Sequence, residues 1–338
     1  MPKFLKSFLA VLLVTAPVGA SAQDLSFDAY LQVLKAQARA EGVSEQTIAL
    51  MTDGLAPSQR VIELDQAQPG SPSRPGVFPS VQNYIDRHVD SARISGGRDV
   101  YRSSQPIIRR IEAEYGVPGQ ILTAIWGHET AYGNVTGGFD LAQALATLAW
   151  EGRRRELFAN EFVSLLKIAD RGFPKSQLQG SWAGAFGNPQ FLPSVYLRLA
   201  KDGDGDGRAD LYNSKADTLA SIANYFRDAG WRTGQPWGVR AAVPAGLDID
   251  SMASEIAAPV CPRVHQRHSE FKTVAEWRAL GVRPLQPIGE DVMAFLFQPD
   301  GAGTPAYLLT GNYRVILEYN CSNYYAMSVG LLADAIAP

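Results

Sequence analysis

The stretch that most restricts how this chain can fold is residues 117–133, VPGQILTAIWGHETAYG. Pro118 can open a helix there, the residues from Gln120 to Gly127 sustain it, and Gly133 can close it. Ile121, Ile125 and Glu129 recur every four residues, with Leu122 and Trp126 beside them. One face is therefore apolar and carries a carboxylate in its last turn, and other elements must cover it. A bare Glu is poorly placed at the carbonyl-rich end of a helix, which disfavours negative charge by about 0.3–1 kcal/mol. Ile125, Trp126 and Tyr132 would also desolvate the group and raise its pKa. A carboxyl kept protonated near neutral pH is a general acid. Turned outward, the same residue would pair with an arginine, and the helix alone does not separate the two readings.

The 338 residues suffice for one large or two smaller domains, and 46% apolar with 19% charged residues suits a globular chain. Residues 1–22 read as a secretory signal peptide. Lys3 and Lys6 precede a short apolar run, and Ala20-Ser21-Ala22 fits a small-x-small cleavage site. The run is too short to span a bilayer, and no cysteine lies near the cleavage site to carry a lipid anchor. The expected product is an exported, soluble protein with no transmembrane segment. Without Lys3 and Lys6, Lys+Arg falls from 31 to 29 against 34 Asp+Glu, a formal charge of −5. A nucleic-acid partner would call for a basic surface, so none is expected. Cys261 and Cys321 are the two cysteines. In an oxidising compartment they form either one disulfide or two separate thiols, and spacing does not choose.

Residues 25–65 read as two or three short helices with Phe27, Tyr30, Leu31 and Leu34 on the apolar side. Residues 68–79, QPGSPSRPGVFP, are dense in proline and glycine and read as a linker. Helical periodicity returns from 80 to 115, where His88 lies on the apolar side as a hydrogen-bonded core residue. Beyond the opening helix, 141–150 and 156–168 are again helical, separated by Gly152-Arg153-Arg154-Arg155. Those arginines form either a solvated face or a holder for acidic or polar substrate groups. Residues 180–191, GSWAGAFGNPQF, are poor in side-chain bulk. They make a packing turn, or they carry Gln190 into a groove.

Residues 202–213, DGDGDGRADLYN, give the most specific local signal. Asp202, Asp204, Asp206 and Asp210 hold positions one, three, five and nine of an EF-hand-like loop. Gly207 holds position six, and Arg208 at seven needs only its carbonyl. Calcium is the expected ion, and no organic cofactor is called for. An amphipathic helix follows over 214–231, with Leu219, Ile222, Ala223 and Phe226 buried. Residues 236–318 read as a small, mostly β insertion with strands at 292–297, 306–309 and 313–319. His265 and His268 could pair on one helix face as metal ligands, but Cys261 is the one nearby group to complete a site, and they are assigned to the surface. Ser322 caps a last helix rich in tyrosine, either a sugar-binding wall or core packing.

With YGVPGQILTAIWGHETAYG, LAQALATLAWEGRRRELF, GSWAGAFGNPQFLPSVY, DGDGDGRADLYN, SIANYFRDAGW and YNCSNYYAMSV standing in this order, the chain resembles the B-type lytic murein transglycosylases from about residue 80 to its end. The resemblance implies an α+β, mainly α fold. Its parts are an N-terminal α region over 23–110, a lysozyme-like catalytic core over 111–235, the β insertion, and a C-terminal helix over 319–338 returning to the core. It implies Glu129 as the single catalytic acid and Ser181, Gln190, Tyr225, Asn320 and Tyr325 as groove residues, with Arg153 and Arg154 as paired arginines. Two departures stand out. Position twelve of the loop is Asn213, the expected sixth ligand, which gives the ion one neutral oxygen where the family usually has Asp, and residues before 80 match only weakly. Some relatives also carry a C-terminal peptidoglycan-binding module, which is not expected here.

The activity so implied is cleavage of the MurNAc–GlcNAc β-1,4 bond of peptidoglycan without water, leaving 1,6-anhydro-MurNAc ends. The alternatives are a muramidase of the same fold that yields reducing ends, and a silent peptidoglycan-binding protein. His128-Glu129 also hints at a zinc protease, but HETAY lacks the second histidine of an HExxH helix.

Overall fold

The computed structural model describes residues 25–67, 80–255, 258, 260–265 and 268–337. The expected signal peptide (1–22) and linker (68–79) lie outside the described residues. Three helices open the described chain, α1 (Phe27–Ala40), α2 (Glu45–Thr52) and α3 (Gln59–Gln66). Each begins at a serine, Ser26, Ser44 or Ser58, whose hydroxyl accepts from a backbone N–H of the first turn. These caps satisfy donors that a helix start leaves unpaired. Then come α4 (Val81–His88), α5 (Ser91–Ser103), α6 (Gln105–Tyr115) and α7 (Gly119–Thr130). Pro106 sits in the first turn of α6, where its missing N–H costs nothing.

A two-stranded ribbon joins β1 (Phe139–Asp140) to β2 (Gln179–Gly180). Between these strands lie α8 (Leu141–Glu151) and α9 (Arg155–Asp170), and beyond them α10 (Pro193–Leu199) and α11 (Lys215–Asp228). The helices share two apolar cores. One gathers Leu31, Leu34, Ile48 and Met51 with Leu145, Phe162, Leu166 and Phe186. The other gathers Ile108, Ile121, Ile125, Ile222 and Phe226 with residues from the C-terminal part. The first six helices thus divide between the cores, α1–α3 packing on α8 and α9 while α4–α6 pack toward α7, α11 and the last helix.

The C-terminal part contains β3 (Gly238–Ala242), α12 (Pro262–His265), β4 (Lys272–Thr273), α13 (Val274–Ala279), β5 (Arg283–Pro284), β6 (Met293–Phe297) and β7 (Ala306–Thr310). The strands form one antiparallel sheet in the order β4-β6-β7-β3-β5. Alternation sends Phe295, Phe297, Tyr307 and Leu309 to the helical core and Ala294, Leu296, Ala306 and Leu308 to Trp277 on α13. Both faces are covered, so these strands read as continuous apolar runs.

Two helices close the chain, α14 (Gly311–Tyr319) and α15 (Asn323–Ile336). The expected strand at 313–319 is therefore helical. Thr310 Oγ1 accepts from Asn312 N at 3.1 Å and starts a turn, and Tyr313, Ile316 and Leu317 then share one buried face. Its β-branched and aromatic residues mimic a strand in composition, but local capping and packing against α15 decide. His265 and His268, expected at the surface, are buried. His268 stacks on Phe295 at 4.2 Å and its Nε2 lies 2.9 Å from Asn323 Oδ1. Both partners are distant in sequence. Cys261 and Cys321 form a disulfide with Cα atoms 5.3 Å apart, tying the start of α12 to the α14–α15 turn.

Candidate active site

Glu129 stands in the last turn of α7, after which Ala131, Tyr132 and Gly133 run through left-handed backbone at φ 48°, 61° and 90°. That reversal lets Thr130 Oγ1 accept from Gly133 N at 3.1 Å and donate to Asn188 O at 3.0 Å, so the helix end is bolted to the turn over 187–191. Asn188 in turn donates Nδ2 to Thr218 Oγ1 on α11 at 3.1 Å. The Glu129 carboxyl keeps a partial solvent contact, but burial pushes its pKa up to about 7, against the lowering effect of one hydrogen bond. That bond comes from Tyr325 Oη on α15, which donates to Glu129 Oε1 at 2.6 Å. Among the described residues no acidic side chain contributes to the shift. Glu129 is thus a lone carboxyl, held well above the usual carboxylate range by burial and fixed by a phenol.

Its neighbour His128 stays neutral, since burial pushes it down to about 3. Its ring lies 5.6 Å from that of Tyr325. From Tyr325 an aromatic series continues through the neighbouring elements. Tyr319 lies parallel to it at 6.5 Å, Tyr225 is 4.8 Å from Tyr319, and Phe191 is 5.9 Å from Tyr225. Tyr225 Oη donates to Glu318 O at 2.8 Å and Tyr319 Oη donates to Pro189 O. Four elements are pinned around Glu129 by these contacts.

Gln190, next to Pro189, adopts φ 49° and donates Nε2 to Gly187 O at 2.9 Å and Thr136 O at 3.2 Å. Gly187 is required at this turn, since an added Cβ would lie 2.8 Å from Leu211 Cβ. Ser181 Oγ accepts from Ala185 N at 3.0 Å and shapes the turn that leads to Phe186. Asn320 is exposed beside Tyr319, in the turn that the disulfide holds. Arg153 and Arg154 both bind the buried carboxylate of Asp65 on α3, at 2.6 and 2.8 Å. They anchor the N-terminal helices to the α8–α9 turn and keep 37% and 39% of their side chains exposed. The geometry thus joins Glu129 to Tyr325 directly and to Tyr225 and the Gln190 turn through Tyr319. The two arginines stand apart, on Asp65. Sequence reasoning did not single out Tyr319, whose signal was only its place in a tyrosine-dense run, or Asn188, which had none.

The acidic loop lies between α10 and α11. Asp202 accepts from the N–H groups of Gly205, Asp206 and Gly207, which wraps the backbone around its carboxylate. Asp206 Oδ1 accepts from Arg208 N, and Asp210 accepts from Tyr212 N and from Asn213 N and Nδ2. Asp202, Asp204 and Asp217 each offer an oxygen within 4.8 Å of the others. Asp217, in the first turn of α11, is fully buried, and desolvation raises its pKa. The residues fit a hard cation, because Asp202, Asp204 and Asp217 gather carboxylate oxygens alone, although backbone N–H groups of Gly203 and Asp210 also donate to Asp217. The acid completing the group is Asp217, four residues beyond Asn213, whose amide serves Asp210. A spacing template that ends at position twelve misses it.

Comparison with known proteins shows the family. The family model described as the transglycosylase SLT domain matches residues 26–334. The membrane-bound lytic murein transglycosylase B of Escherichia coli K12 is 33% identical over 260 residues, covering 75% of this chain and 66% of that protein. The chain thus spans about two thirds of that relative's length. Among solved structures, Pseudomonas aeruginosa SltB3 in complex with NAG-anhNAM-pentapeptide superposes with a TM-score of 0.82 at 36% identity, over 92% of this chain and 79% of that one. The E. coli lytic transglycosylase Slt35 in complex with calcium gives 0.73 at 28% identity, over 91% and 92%. With a match that runs from residue 26 to residue 334, the chain belongs to the transglycosylase SLT domain family.

Proposed function

We propose that this protein is a lytic transglycosylase of peptidoglycan, cleaving the MurNAc–GlcNAc bond and leaving 1,6-anhydro-MurNAc ends. The observation that carries the reading is the solitary Glu129 carboxyl, poised near pKa 7 and held by Tyr325. In this reading Glu129 protonates the leaving glycosidic oxygen. The same carboxylate then takes the proton from the sugar's own C6 hydroxyl as that oxygen attacks C1. A nucleophile held in the substrate's ring is already oriented, so no second carboxylate is needed to activate water. Tyr325 keeps Glu129 in one orientation through both proton transfers. Gln190 and Asn320 orient the acetamido group that stabilises charge at C1, Ser181 and Tyr225 contact the glycan, and Arg153 and Arg154 meet polar substrate groups from their exposed sides.

One calcium ion in the acidic loop would hold the Gln190 turn and α11 in place. Asp202, Asp204, Asp206, Asp210 and Asp217 with the Arg208 carbonyl are its proposed ligands, Asn213 serving the loop through Asp210. The proposed location is the periplasm. Among the described residues no helix is long and apolar enough to cross a membrane. Mass analysis of muropeptides from a digest of purified peptidoglycan tests the activity. Products one water lighter than hydrolytic ones are expected. Reducing ends would make the protein a muramidase, and no release would leave a glycan binder.

A further inference from the structure

A second cavity, of about 550 Å³, opens between the sheet and the C-terminal half of α15. Its walls include Trp237, Arg240, Gln286, Tyr307, Leu331 and Asp334. Asp334 follows Tyr325 by nine residues on one helix. At 1.5 Å and 100° per residue this places it about 14 Å along the axis and on the opposite side, so the cavity is separate from the site around Glu129.

Two opposite charges face this space without pairing. Asp334 Oδ1 accepts from Trp237 Nε1 at 3.1 Å, which fixes the carboxylate to the cavity wall. Arg240 and Tyr307 are direct cross-strand partners in β3 and β7, which puts both side chains on the sheet face turned toward α15. Both charges act on the Tyr307 phenol, Arg240 lowering its pKa and Asp334 raising it. Among the described residues no salt bridge joins Arg240 or Asp334 to a counter-ion. Trp237 itself is locked against the helix, since a Cβ on Gly330 would lie 2.5 Å from its ring. The result is a rigid aromatic floor between a fixed anion and a cation.

We propose that this cavity is a second binding site, for a peptide segment carrying one ammonium and one carboxylate. The ammonium would sit on Asp334, the carboxylate on Arg240, and the apolar part over Tyr307 and Leu331. That the natural occupant is a stem peptide of the cell wall rests on the proposed function. The chemical class of ligand does not.

The test uses the full-length exported protein and Nα-acetyl-lysyl-alanine, which carries one ammonium and one carboxylate. Titration is followed at the Trp237 indole N–H in ¹H–¹⁵N spectra. A saturable shift is expected. Blocking the probe's ammonium by Nε-acetylation, or its carboxylate by amidation, should weaken binding about tenfold, as should Asp334→Asn or Arg240→Ala, each removing one charge-assisted contact. Asp334→Asn keeps an acceptor for Trp237, so loss of binding there does not come from a displaced indole. Equal binding of the blocked probes, or no shift at millimolar probe, would overturn the proposal. So would a stability coupling between the Asp334 and Arg240 substitutions without ligand, which would make the two charges partners of each other. Anhydro-product formation is measured on the same samples. Anhydro products without probe binding would remove the second site alone, and probe binding without them would remove the proposed activity alone.

Discussion

Glu129→Gln separates the proton of the candidate acid from its shape. The amide fills the same volume and still accepts from Tyr325 Oη, but it neither ionises nor donates an acidic proton. The carboxyl titrates near 4.5 when unfolded and near 7 in the fold. Between those values the folded state holds a proton that the unfolded state has released. The contribution of Glu129 to wild-type stability therefore falls as pH rises through this window and levels off above it. The amide contributes no such slope, and every other group titrates alike in both proteins. At about 1.4 kcal/mol per unit, and discounting for the residue's partial exposure, the variant should gain about 2 kcal/mol on the wild type between pH 5 and pH 8. Urea denaturation at the two pH values measures this. Peptidoglycan digestion by the same samples should fall at least about a hundredfold, the share a general acid contributes. A stability difference that stays level with pH would mean that Glu129 is ionised like an ordinary surface carboxylate. Turnover near the wild-type rate would place the acid elsewhere.

Wild-type activity should decline as pH rises through about 7, where Glu129 gives up its proton, and a rate that is level to pH 9 would contradict the assignment. Tyr325→Phe removes the hydrogen bond that lowers the Glu129 pKa. It should slow turnover while moving the alkaline limb of the pH–rate profile upward, and a downward move would show that the phenol acts otherwise. Calcium should raise the melting temperature relative to chelated protein, because a ligand of the folded state stabilises it. Asp217→Asn should shrink that rise, and an unchanged rise would exclude Asp217 as a ligand. Replacing Cys261 and Cys321 by serine opens a loop of 60 residues and should cost about 4 kcal/mol on the chain-entropy account, read by urea denaturation; no loss would mean that the packing around α14 suffices. Gly330→Ala should destabilise by about 1–3 kcal/mol, since its Cβ would meet Trp237 at 2.5 Å, and a neutral result would show that the indole can move.

Local physics was legible in the sequence. The Ser322 cap, the apolar stripe of α1 and the repeat of carboxylates from Asp202 to Asp210 all act within a few residues, and each appears in the fold where the pattern put it. The position of Glu129 at the end of an apolar helix was equally readable. Which of its two roles it takes was not. The choice depends on Tyr325, 196 residues further along, and on Tyr319, which stacks against that tyrosine. The same distance problem hid the burial of His268 against Phe295 and Asn323, the disulfide, and the pairing of Arg153 and Arg154 with Asp65. For 313–319 composition argued for a strand, and packing on α15 with a threonine cap made a helix. Asp217 read as one more helix residue until folding turned it toward Asp202 and Asp204. Periodicity and caps report what a segment can become. Which surfaces meet, and so which carboxyl loses its water, is decided by contacts between residues that the linear order keeps far apart.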